Sequence, residues 1–538
     1  MSSTTTPPPT VLITGATDGL GLALARHYHA QGARLVLVGR RPLAELSGPL
    51  FQPDTYCQVD LADSGQYARL YAWLHENNIQ ALDQIIHNAA VGWVGSIAEQ
   101  PPNSIREVLA VNLLAPIHLT HGLFPWVQAA DGLFTFIGSV VAALPAPHYA
   151  VYAATKAALA GFVRNLQIEL AACHPNVQAQ IIHPGAIRTG MHAKSGADLQ
   201  SLPWPRFPTP EAVAQAVIRQ MEGRVPQAVI GPGNRLAFWA GHHLPELADG
   251  LLGRMHRRRQ QIVLPAPQPP KEQPLKEQVR HCVITGAADG IGRALAHRFG
   301  RAGYRVTGID VDRERAMYAQ AELINAGVDA RFALADLADP RDVEQLLETL
   351  AGRPPIDALI HNAGINAVGP FVTSDLTAQE QVLAVNLAAP LLLTAGLLRR
   401  GRLTHGCSVV ALSSLSHFVG YPGAAVYAAT KDGLAAYMRG LSMALAQSHG
   451  HTLTVFPGPT RTAHARRYSP DNRREHRRMP PEEVADAIYR AVQRRRRRLI
   501  PGRSNRLFAL VGRLAPGLAA QVMRRTLFEQ LVRQDSTR

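Results

Sequence analysis

Two tyrosine–lysine pairs are the residues of this sequence best suited to moving a proton. Tyr152 and Lys156 lie in the stretch VYAATK, and the same six letters recur with Tyr427 and Lys431. A spacing of four residues places both side chains of a pair on one face of a helix. An ammonium group beside a phenol favours the phenolate, so each pair could act as a general acid and base. The spacing alone is more often structural than catalytic.

A serine upstream of each pair strengthens the catalytic interpretation. Ser139 lies 13 residues before Tyr152, at the end of the apolar stretch LFTFIGS, and Ser414 lies 13 residues before Tyr427, at the end of SVVALSS. Ligands of an open parallel sheet bind at the carboxyl ends of its strands. The sequence therefore predicts a serine, a tyrosine and a lysine around one pocket, once in each half of the chain.

A glycine-rich loop precedes each of these groups. The loops are TGATDGLG at 14–21 and TGAADGIG at 285–292, and each follows an apolar run and opens a helical pattern. Glycine permits the tight turn and lets a pyrophosphate approach backbone amides at the positive end of the helix. The alternative is a strand–helix turn that needs glycine for its shape and binds no ligand. This alternative is less favoured because the strand–loop–helix order occurs in both halves. The glycines expected at the pyrophosphate are Gly15, Gly19, Gly21, Gly286, Gly290 and Gly292.

The loops belong to a repeat that covers most of the chain. They begin 271 positions apart and the two VYAATK segments 275 positions apart, so the offset barely drifts. A chain of 538 residues is too long for one hydrophobic core, and a duplicated domain of roughly 250 residues fits this length. We predict a disordered N-terminal tail over 1–10, a first domain over 11–260, a proline-rich linker over 261–279 and a second domain over 280–538.

Short apolar runs rich in β-formers alternate with helical patterns in each half. The first half has predicted strands near 11–14, 34–38, 55–59, 82–87, 132–138, 177–182 and 227–230, and predicted helices near 19–31, 64–78, 103–128 and 152–172. The second half has predicted strands near 280–285, 304–309, 329–334, 356–361, 407–412, 452–456 and 498–500. This alternation predicts an α/β fold with a doubly wound parallel sheet in each half. A full helix near 312–326 distinguishes the second half, because the first has only a short connection there.

The composition excludes several classes of protein. The four cysteines are scattered without a C-x-x-C pair, which argues against a disulfide framework or a metal site and predicts a cytoplasmic protein. The start, MSSTTTPPPT, lacks the pattern of a signal peptide, and no apolar run reaches the roughly 20 residues of a membrane span. The net charge of +15 lies largely in arginine clusters, for which a solvated surface is the first interpretation. Peripheral contact with an anionic membrane or an acidic substrate carrier is the second, and nucleic acid is not expected.

Further motifs follow in the same order in both halves, and together they resemble the short-chain dehydrogenase/reductase family. The order is T-G-x-x-x-G-x-G, N-A-G, an asparagine in the next helix, serine, Y-x-x-x-K and P-G-x-x-x-T. The match covers almost the whole of each half. The resemblance implies two Rossmann-type domains in tandem, and the nicotinamide-dependent oxidation of alcohols or reduction of carbonyls in each.

The resemblance also implies a role for each matching residue. The tyrosines become the general acid/base, the lysines hold the nicotinamide ribose and lower the pKa of the tyrosines, and the serines bind the substrate oxygen. Asn112 and Asn386 support a proton relay. The further residues implied in cofactor binding are Asn88, Asp60, Pro184, Gly185 and Thr189 in the first half and Asn362, Asp336, Pro457, Gly458 and Thr462 in the second. The first half departs from N-A-G, with Ala90 where the second has Gly364.

The residues after the second strand separate the two halves. The first half reads VGRR, with Arg40 and Arg41, and the second reads GIDVD, with Asp310. An acidic side chain there takes the adenine-ribose hydroxyls and repels a 2′-phosphate, whereas arginine pairs with that phosphate. We therefore predict NADP(H) in the first half and NAD(H) in the second. Surface charges outside the ribose site are the alternative.

The substrate is less well defined, and three functions stay open. The segment expected to cover the second pocket, 463–480, carries six arginines, which is a weak indication of an anionic or carrier-bound alcohol or carbonyl, and a solvated covering segment is the favoured alternative. The chain could be a bifunctional dehydrogenase, or an epimerase that oxidises in one half and reduces in the other. One half could instead be a non-catalytic scaffold. The two halves could form an intramolecular pseudo-dimer, or the chain could form a homo-oligomer.

Overall fold

The computed structural model of the chain describes residues 8–198, 204–260, 279–469 and 471–535. We call the described residues up to 260 the first lobe and those from 279 the second lobe. Most of the expected N-terminal tail and all but one residue of the expected linker lie outside the described residues. The domain boundaries therefore stay a prediction.

Each lobe is built on one parallel sheet of seven strands. The strands of the first sheet are β1 (Thr10–Thr14), β2 (Arg34–Gly39), β3 (Tyr56–Gln58), β4 (Gln84–His87), β5 (Leu133–Ile137), β6 (Gln178–His183) and β7 (Gln227–Val229). Those of the second are β8 (His281–Thr285), β9 (Arg305–Asp310), β10 (Ala330–Leu334), β11 (Ile356–His361), β12 (Leu403–Leu412), β13 (His451–Val455) and β14 (Arg498–Leu499). Every predicted strand is present, with ends shifted by a few residues.

The strand order confirms two Rossmann-type α/β domains. The first sheet runs β3-β2-β1-β4-β5-β6-β7, and the second runs β10-β9-β8-β11-β12-β13-β14. The central strands are buried on both faces, which explains why they are continuous apolar runs instead of alternating ones. The order reverses beside β1 and β8, and a crevice for a ligand opens at such a switch point.

Helices cover both faces of each sheet. Those of the first lobe are α1 (Gly19–Ala30), α2 (Tyr67–Glu76), α3 (Pro102–Leu109), α4 (Ala115–Gly122), α5 (Phe124–Ala129), α6 (Ala150–Cys173), α7 (Met191–Lys194), α8 (Pro210–Glu222), α9 (Pro232–His243) and α10 (Pro245–Gln260). Those of the second are α11 (Gly290–Gly300), α12 (Arg313–Asn325), α13 (Pro340–Ala351), α14 (Leu376–Leu383), α15 (Ala389–Arg399), α16 (Ser416–Val419), α17 (Ala425–Ala444), α18 (Ala463–Tyr468), α19 (Pro481–Gln493), α20 (Arg503–Leu514), α21 (Pro516–Met523) and α22 (Glu529–Asp535). Helix α12 is the one expected only in the second half.

One predicted helix is interrupted in a way that the apolar pattern did not show. The helix expected near 103–128 consists of α3, α4 and α5, with a single π turn at Ala110–Leu114 between α3 and α4. The second lobe has the same π turn at Ala384–Ala388. A π turn inserts one residue into the helix and often marks a functional position. The π turn contains Asn112 in the first lobe and Asn386 in the second, the asparagines expected to support a proton relay.

A second difference from the sequence prediction concerns a helical stretch that is long enough to span a membrane. The continuous helical stretch Leu376–Arg399 is long and apolar enough, by length and composition alone, to cross a membrane, although no uninterrupted apolar run does so in the sequence. Its most apolar window is 72% buried inside the protein. A core helix of a globular domain has the same property, so the stretch is weak evidence for a membrane span.

One of the hydrophobic cores extends across both lobes. Helices α6 and α17 pack along each other, and a single cluster of buried residues contains Phe162 and Leu166 of α6 together with Leu434 and Met438 of α17. Glycine allows the close approach, because a Cβ on Gly433 would lie 2.9 Å from the carbonyl oxygen of Ala154. The helices that carry the two tyrosine–lysine pairs are therefore in direct contact.

A buried carboxyl group crosses the boundary between the lobes. The Glu169 carboxylate, on α6, accepts hydrogen bonds at 2.7 Å from the backbone amides of both Phe371 and Gly423 in the second lobe. Burial raises the pKa of Glu169 to about 7, although the two amides act in the opposite direction. Folding therefore favours the protonated form of this side chain.

We predict that Glu169 makes the stability of the protein fall as the pH rises. Its contribution is complete below about pH 4.5, the usual pKa, and is lost as the pH rises to about 7, a change of about 3 kcal/mol at about 1.36 kcal/mol per pKa unit. The Glu169→Gln variant has no titrating group here. The melting temperature of the wild type relative to this variant should fall between pH 5 and pH 8. A constant difference, or the same trend in the exposed control Glu222→Gln, would contradict the assignment.

Candidate active site

The first lobe brings its serine, tyrosine and lysine together at the carboxyl end of β5. The Ser139 side chain lies close enough to the Tyr152 hydroxyl to lower the pKa of that phenol. Lys156 is 2% exposed, and its Nζ donates a hydrogen bond of 2.9 Å to the carbonyl oxygen of Ile137, the last residue of β5. The same Nζ lies 5.7 Å from the centre of the Tyr152 ring. The strand end thus fixes the lysine, and the lysine lies beside the ring.

The second lobe repeats this geometry closely. The Ser414 side chain lies close enough to the Tyr427 hydroxyl to lower the pKa of that phenol, and Lys431 Nζ donates to the carbonyl oxygen of Leu412 at 3.0 Å. Its distance to the centre of the Tyr427 ring is 5.5 Å. Two sequence segments that share only part of their letters therefore fold to the same arrangement of the three side chains.

The protonation of these groups differs from the expectation that each lysine makes its tyrosine acidic. Burial raises the pKa of Tyr152 to about 12 and also raises the pKa of Tyr427, while the serine hydrogen bonds oppose the shift. Burial lowers the pKa of Lys156 and Lys431 to about 8. The reason is that enclosure penalises the phenolate, and each ammonium group donates to a strand carbonyl. The phenols of the protein alone are therefore proton donors near neutral pH.

The asparagines in the π turns hold the neighbouring loop. In the first lobe, Asn112 accepts a hydrogen bond from the Val91 amide at 2.8 Å and donates to the Val91 carbonyl at 2.9 Å and to Thr155 Oγ1 at 3.2 Å. Asn386 makes the equivalent bonds to Ile365 and Thr430. Each asparagine therefore connects the loop after the fourth strand to the helix that carries the tyrosine. Its part in a proton relay stays a prediction.

The glycine loops form a tight cradle at the switch point of each sheet. Gly15 and Gly19 have φ angles of +65° and +51°, which side chains rarely tolerate. A Cβ on Gly21 would lie 2.2 Å from the Gly15 carbonyl oxygen, and a Cβ on Gly292 would lie 1.9 Å from the Gly286 carbonyl oxygen. Only glycine fits this turn, which ends at the N-terminus of the first helix in each lobe. The cradle fits a dinucleotide pyrophosphate.

The N-A-G asparagines lie behind the cradle. Asn88 Nδ2 donates to the carbonyl oxygens of Thr14 and Gly15 at 3.0 and 3.2 Å. Asn362 Nδ2 donates to those of Thr285 and Gly286 at 3.0 and 2.8 Å. Both asparagines therefore use their amide donors to fasten the glycine loop to the loop after the fourth strand, and they support the cofactor site from behind.

The P-G-x-x-x-T segments border the cradle from the other side. A Cβ on Gly19 would lie 2.9 Å from Thr189 Cγ2, and a Cβ on Gly290 would lie 3.0 Å from Thr462 Cγ2. The carbonyl oxygens of Pro184 and Pro457 accept amide hydrogen bonds from Val140 and Leu415, in the segments that follow the serines. These contacts join the serine segments to the cofactor cradle. The glycines of the same motif, Gly185 and Gly458, pack against Asn234 and Asn505, which the sequence interpretation missed.

The ends of β2 and β9 differ in the way that the cofactor prediction requires. Asp310 ends β9, and its carboxylate accepts hydrogen bonds from the amides of Ala288 at 2.9 Å and Val311 at 2.9 Å. The same place in the first lobe is Gly39, where a Cβ would lie 3.0 Å from Thr17 Cγ2 and 3.1 Å from the Tyr56 hydroxyl. A side chain there would require these two neighbours to shift by a few tenths of an ångström.

The arginines that follow Gly39 lie at the surface. The Arg40 side chain is 60% exposed and pairs with Glu107 at 3.2 Å, and Arg41 donates to the carbonyl oxygen of Glu45 at 2.9 Å. The aspartates after the third strands, Asp60 and Asp336, accept amide hydrogen bonds from Ala62 and Ala338 at 3.0 and 2.8 Å. They shape the turns at the expected adenine pocket.

Several side chains near the tyrosines were missed. A second aromatic ring lies beside each, with Tyr149 at 6.2 Å from Tyr152 and Tyr421 at 6.0 Å from Tyr427. Burial and the charge of Lys431 lower the pKa of His464 to about 4, which places this histidine of the segment 463–480 at the second site. Asn366 is buried, and its Oδ1 has no hydrogen-bond partner among the described residues. None of these residues belongs to a motif, so only their position in the fold reveals them.

The segments that follow P-G-x-x-x-T, which we call the lids, contain α7 in the first lobe and residues 463–480 in the second. They also make contacts that the sequence could not show. Lys194 on α7 pairs with Asp18 of the first glycine loop at 2.7 Å, and so fastens the lid over the cradle. Of the six lid arginines in the second lobe, Arg466 pairs with Glu475 and Arg473 with Asp471. These two guanidinium groups already have an acidic partner. An anionic substrate therefore stays a proposal with less support than the sequence suggested.

Each lobe fastens the serine segment of the other lobe. Arg164 and Arg439 lie 275 positions apart, at the same place in the repeat. Arg164 donates to the carbonyl oxygens of Ser416 and His417 at 3.2 Å each, and Arg439 donates to that of Ala143 at 2.7 Å. Ala143 follows Ser139 by four residues, and Ser416 follows Ser414 by two. The equal position of the two arginines in the repeat is the signal that could have found them.

We predict that this exchange of arginines is visible in hydrogen–deuterium exchange. Arg164→Gln in the first lobe should speed exchange of the second lobe's amides at 414–420, and Arg439→Gln should speed exchange at 139–144. Loss of a charge-assisted hydrogen bond of about 1.5 kcal/mol corresponds to roughly tenfold faster opening. Arg219→Gln on the exposed face of α8 is the matched control. Faster amide exchange that is confined to the lobe carrying the substitution would contradict the assignment.

Comparison with known proteins agrees with this geometry. The sequence model of the family described as short chain dehydrogenase matches residues 9–200 and 280–473. Dehydrogenase/reductase SDR family member 7B of Bos taurus is 34% identical over 193 residues, which cover 34% of this chain and 58% of that protein. 1-Deoxy-11-beta-hydroxypentalenate dehydrogenase of Streptomyces exfoliatus is 38% identical over 188 residues, which cover 34% of this chain and 67% of that protein.

The comparison with solved structures gives a match to about the length of one lobe. A short-chain dehydrogenase from Sphingobium yanoikuyae in complex with NADPH has 29% sequence identity, and the match covers 44% of this chain and 94% of that chain. The TM-score is 0.39.

Proposed function

This chain belongs to the short-chain dehydrogenase family of NAD(P)-dependent oxidoreductases, and we propose that it is bifunctional, with one working centre in each lobe. The observation that carries the proposal is the matched geometry of the two sites. Each lobe has a serine beside its tyrosine and a buried lysine anchored to a strand carbonyl at 2.9 or 3.0 Å. Each substrate would be a secondary alcohol or the corresponding carbonyl compound.

The residues divide the proton chemistry between them. Tyr152 and Tyr427 are protonated near neutral pH, so each can give its proton to a carbonyl oxygen that becomes an alkoxide. Ser139 and Ser414, which lie beside these hydroxyls, would orient the same oxygen. Lys156 and Lys431 would hold the nicotinamide ribose on the helix face beside each phenol. When bound, the nicotinamide supplies or accepts the hydride.

The two lobes differ at the adenine ribose, and we assign NADP(H) to the first and NAD(H) to the second. A side chain at Gly39 would crowd Thr17 and Tyr56, and Arg40 and Arg41 follow it with exposed guanidinium groups that can pair with a 2′-phosphate. Asp310, held by two backbone amides, is placed to accept from the ribose hydroxyls and to repel a phosphate. Oxidation in the second lobe and reduction in the first would suit these cofactors.

This difference is also the observation that favours a second candidate function, epimerisation. An alcohol oxidised with NAD⁺ in one lobe and reduced with NADPH from the opposite face in the other would be inverted. A scaffold role for one lobe is less well supported, because both sites keep the same distances between their reacting groups.

We predict that the two tyrosines control separate reactions. Tyr152→Phe should remove the NADPH-dependent activity and Tyr427→Phe the NADH-dependent activity, each by at least about a thousandfold in kcat, because the only group that can deliver the proton is lost. A panel of keto and hydroxy compounds tested with each cofactor provides the measurement. Loss of one net inversion in both variants supports the epimerase instead. Full activity in either variant would contradict the bifunctional proposal.

The cofactor assignment predicts a change in KM that leaves kcat largely intact. In a Tyr427→Phe background, Arg40→Ala should raise the KM for NADPH about tenfold, because one charged pair with the 2′-phosphate is lost. The double substitution Asp310→Gly and Val311→Arg, in a Tyr152→Phe background, should move the second lobe from NADH toward NADPH. Arg69→Ala, an exposed arginine on α2, serves as the control. Unchanged preference in both lobes would show that these residues lie outside the ribose site.

A further inference from the structure

A large cavity lies between the two lobes, away from both glycine cradles. Its volume is about 1370 Å³, above the roughly 300–1,000 Å³ typical of small-molecule pockets. Helices α9 and α10 of the first lobe border it together with α20 and α21 of the second. The segments that follow the two active-site serines also reach it, through Ala142 and Ala143 on one side and His417 on the other.

The walls of this cavity carry an excess of positive charge. Nine arginines line it, against three acidic residues, Glu246, Asp249 and Asp432. Two of the acids are already taken, because Asp432 pairs with Arg164 at 3.0 Å and Asp249 pairs with Arg439 at 2.6 Å. An anion that enters the cavity therefore meets uncompensated guanidinium groups.

Two of these arginines stand without a polar partner. The side chains of Arg498 and Arg513 make no hydrogen bond or ion pair with any described residue, although the charge of Glu246 acts on both, and they lie 5.9 and 5.2 Å from the centre of the Phe418 ring. Burial, together with the charge of Arg513, lowers the pKa of Arg498 to about 10, so the two cations repel each other across this ring. Burial and the surrounding positive groups lower the pKa of His242, in the same wall, to about 3.

The rest of the lining is apolar and aromatic. Phe238 and Trp239 of α9, Phe418 of α16 and Phe456 after β13 all face the cavity. A guanidinium group over an aromatic ring keeps its N–H donors, which lie in the guanidinium plane, free to pair with a carboxylate or phosphate. The space beyond these donors is far larger than an inorganic anion needs.

We propose that this cavity between the lobes binds an amphipathic anion, whose carboxylate or phosphate head pairs with Arg498 and Arg513 and whose apolar body lies against the aromatic wall. The site is separate from both oxidoreductase centres and does not depend on the function proposed for them. A ligand bound here contacts the segments after Ser139 and Ser414 at the same time, so it would touch both lobes at once.

The test is calorimetric titration of the full chain with decyl phosphate and with decanoate, both below their micellar concentrations. Either compound should bind saturably at one site per chain, and the comparison of the two identifies the preferred head group. Decanol lacks the charge and inorganic phosphate lacks the apolar body, so each should bind at least tenfold more weakly. Absence of saturable binding by both amphiphiles, or equal binding of decanol, would overturn the proposal.

Variants locate the binding. Arg498→Gln and Arg513→Gln should each weaken binding at least tenfold, whereas Arg503→Gln, at the exposed start of α20, should leave it unchanged. Because Arg498 and Arg513 have no polar partner to lose, neither substitution should lower the melting temperature. Ala436→Trp, which fills the cavity without removing a charge, should block binding if an arginine variant folds poorly. Binding that survives all three cavity variants, or that is lost with Leu514→Ser on the exposed face of α20, would show adsorption to the surface instead.

Discussion

The packing of α6 against α17 is the contact on which both sites depend. Each helix carries a tyrosine and a lysine toward its own sheet, and each sends an arginine across the boundary to the serine segment of the other lobe. The hydrophobic cluster that contains both helices fixes their separation, and the buried Glu169 joins α6 to two amides of the second lobe. Neither serine segment is therefore held by its own lobe alone, and the structural unit of the chain is the pair of lobes.

Much of the fold could be predicted because its signals are local. Parallel strands buried on both faces give continuous apolar runs, and glycine is required where the loop turns at positive φ, as at Gly15 and Gly19. The tyrosine, lysine and serine lie at fixed distances along the chain, so their spacing survives in the sequence. The repeat supplies a second copy of each motif, so chance is a weaker explanation for any one of them.

The rest could not be predicted because it depends on groups brought together from distant segments. The sequence shows Tyr152 beside Lys156 but not the enclosure that raises the pKa of the phenol instead of lowering it. It shows Asn88 in the cofactor motif, yet the amide donors fasten the glycine loop from behind. The cavity between the lobes has walls from both halves, and the crowding that a side chain at Gly39 would meet comes from the neighbouring Thr17 and Tyr56.

The central claim is that each lobe is a complete and separate centre with its own cofactor. The most direct measurement is the binding stoichiometry of NADPH and NADH, determined together by equilibrium dialysis on the full chain. We expect one NADPH and one NADH bound per chain, with neither displacing the other at concentrations near their dissociation constants. One dinucleotide per chain in total, or two that compete for the same site, would contradict the account.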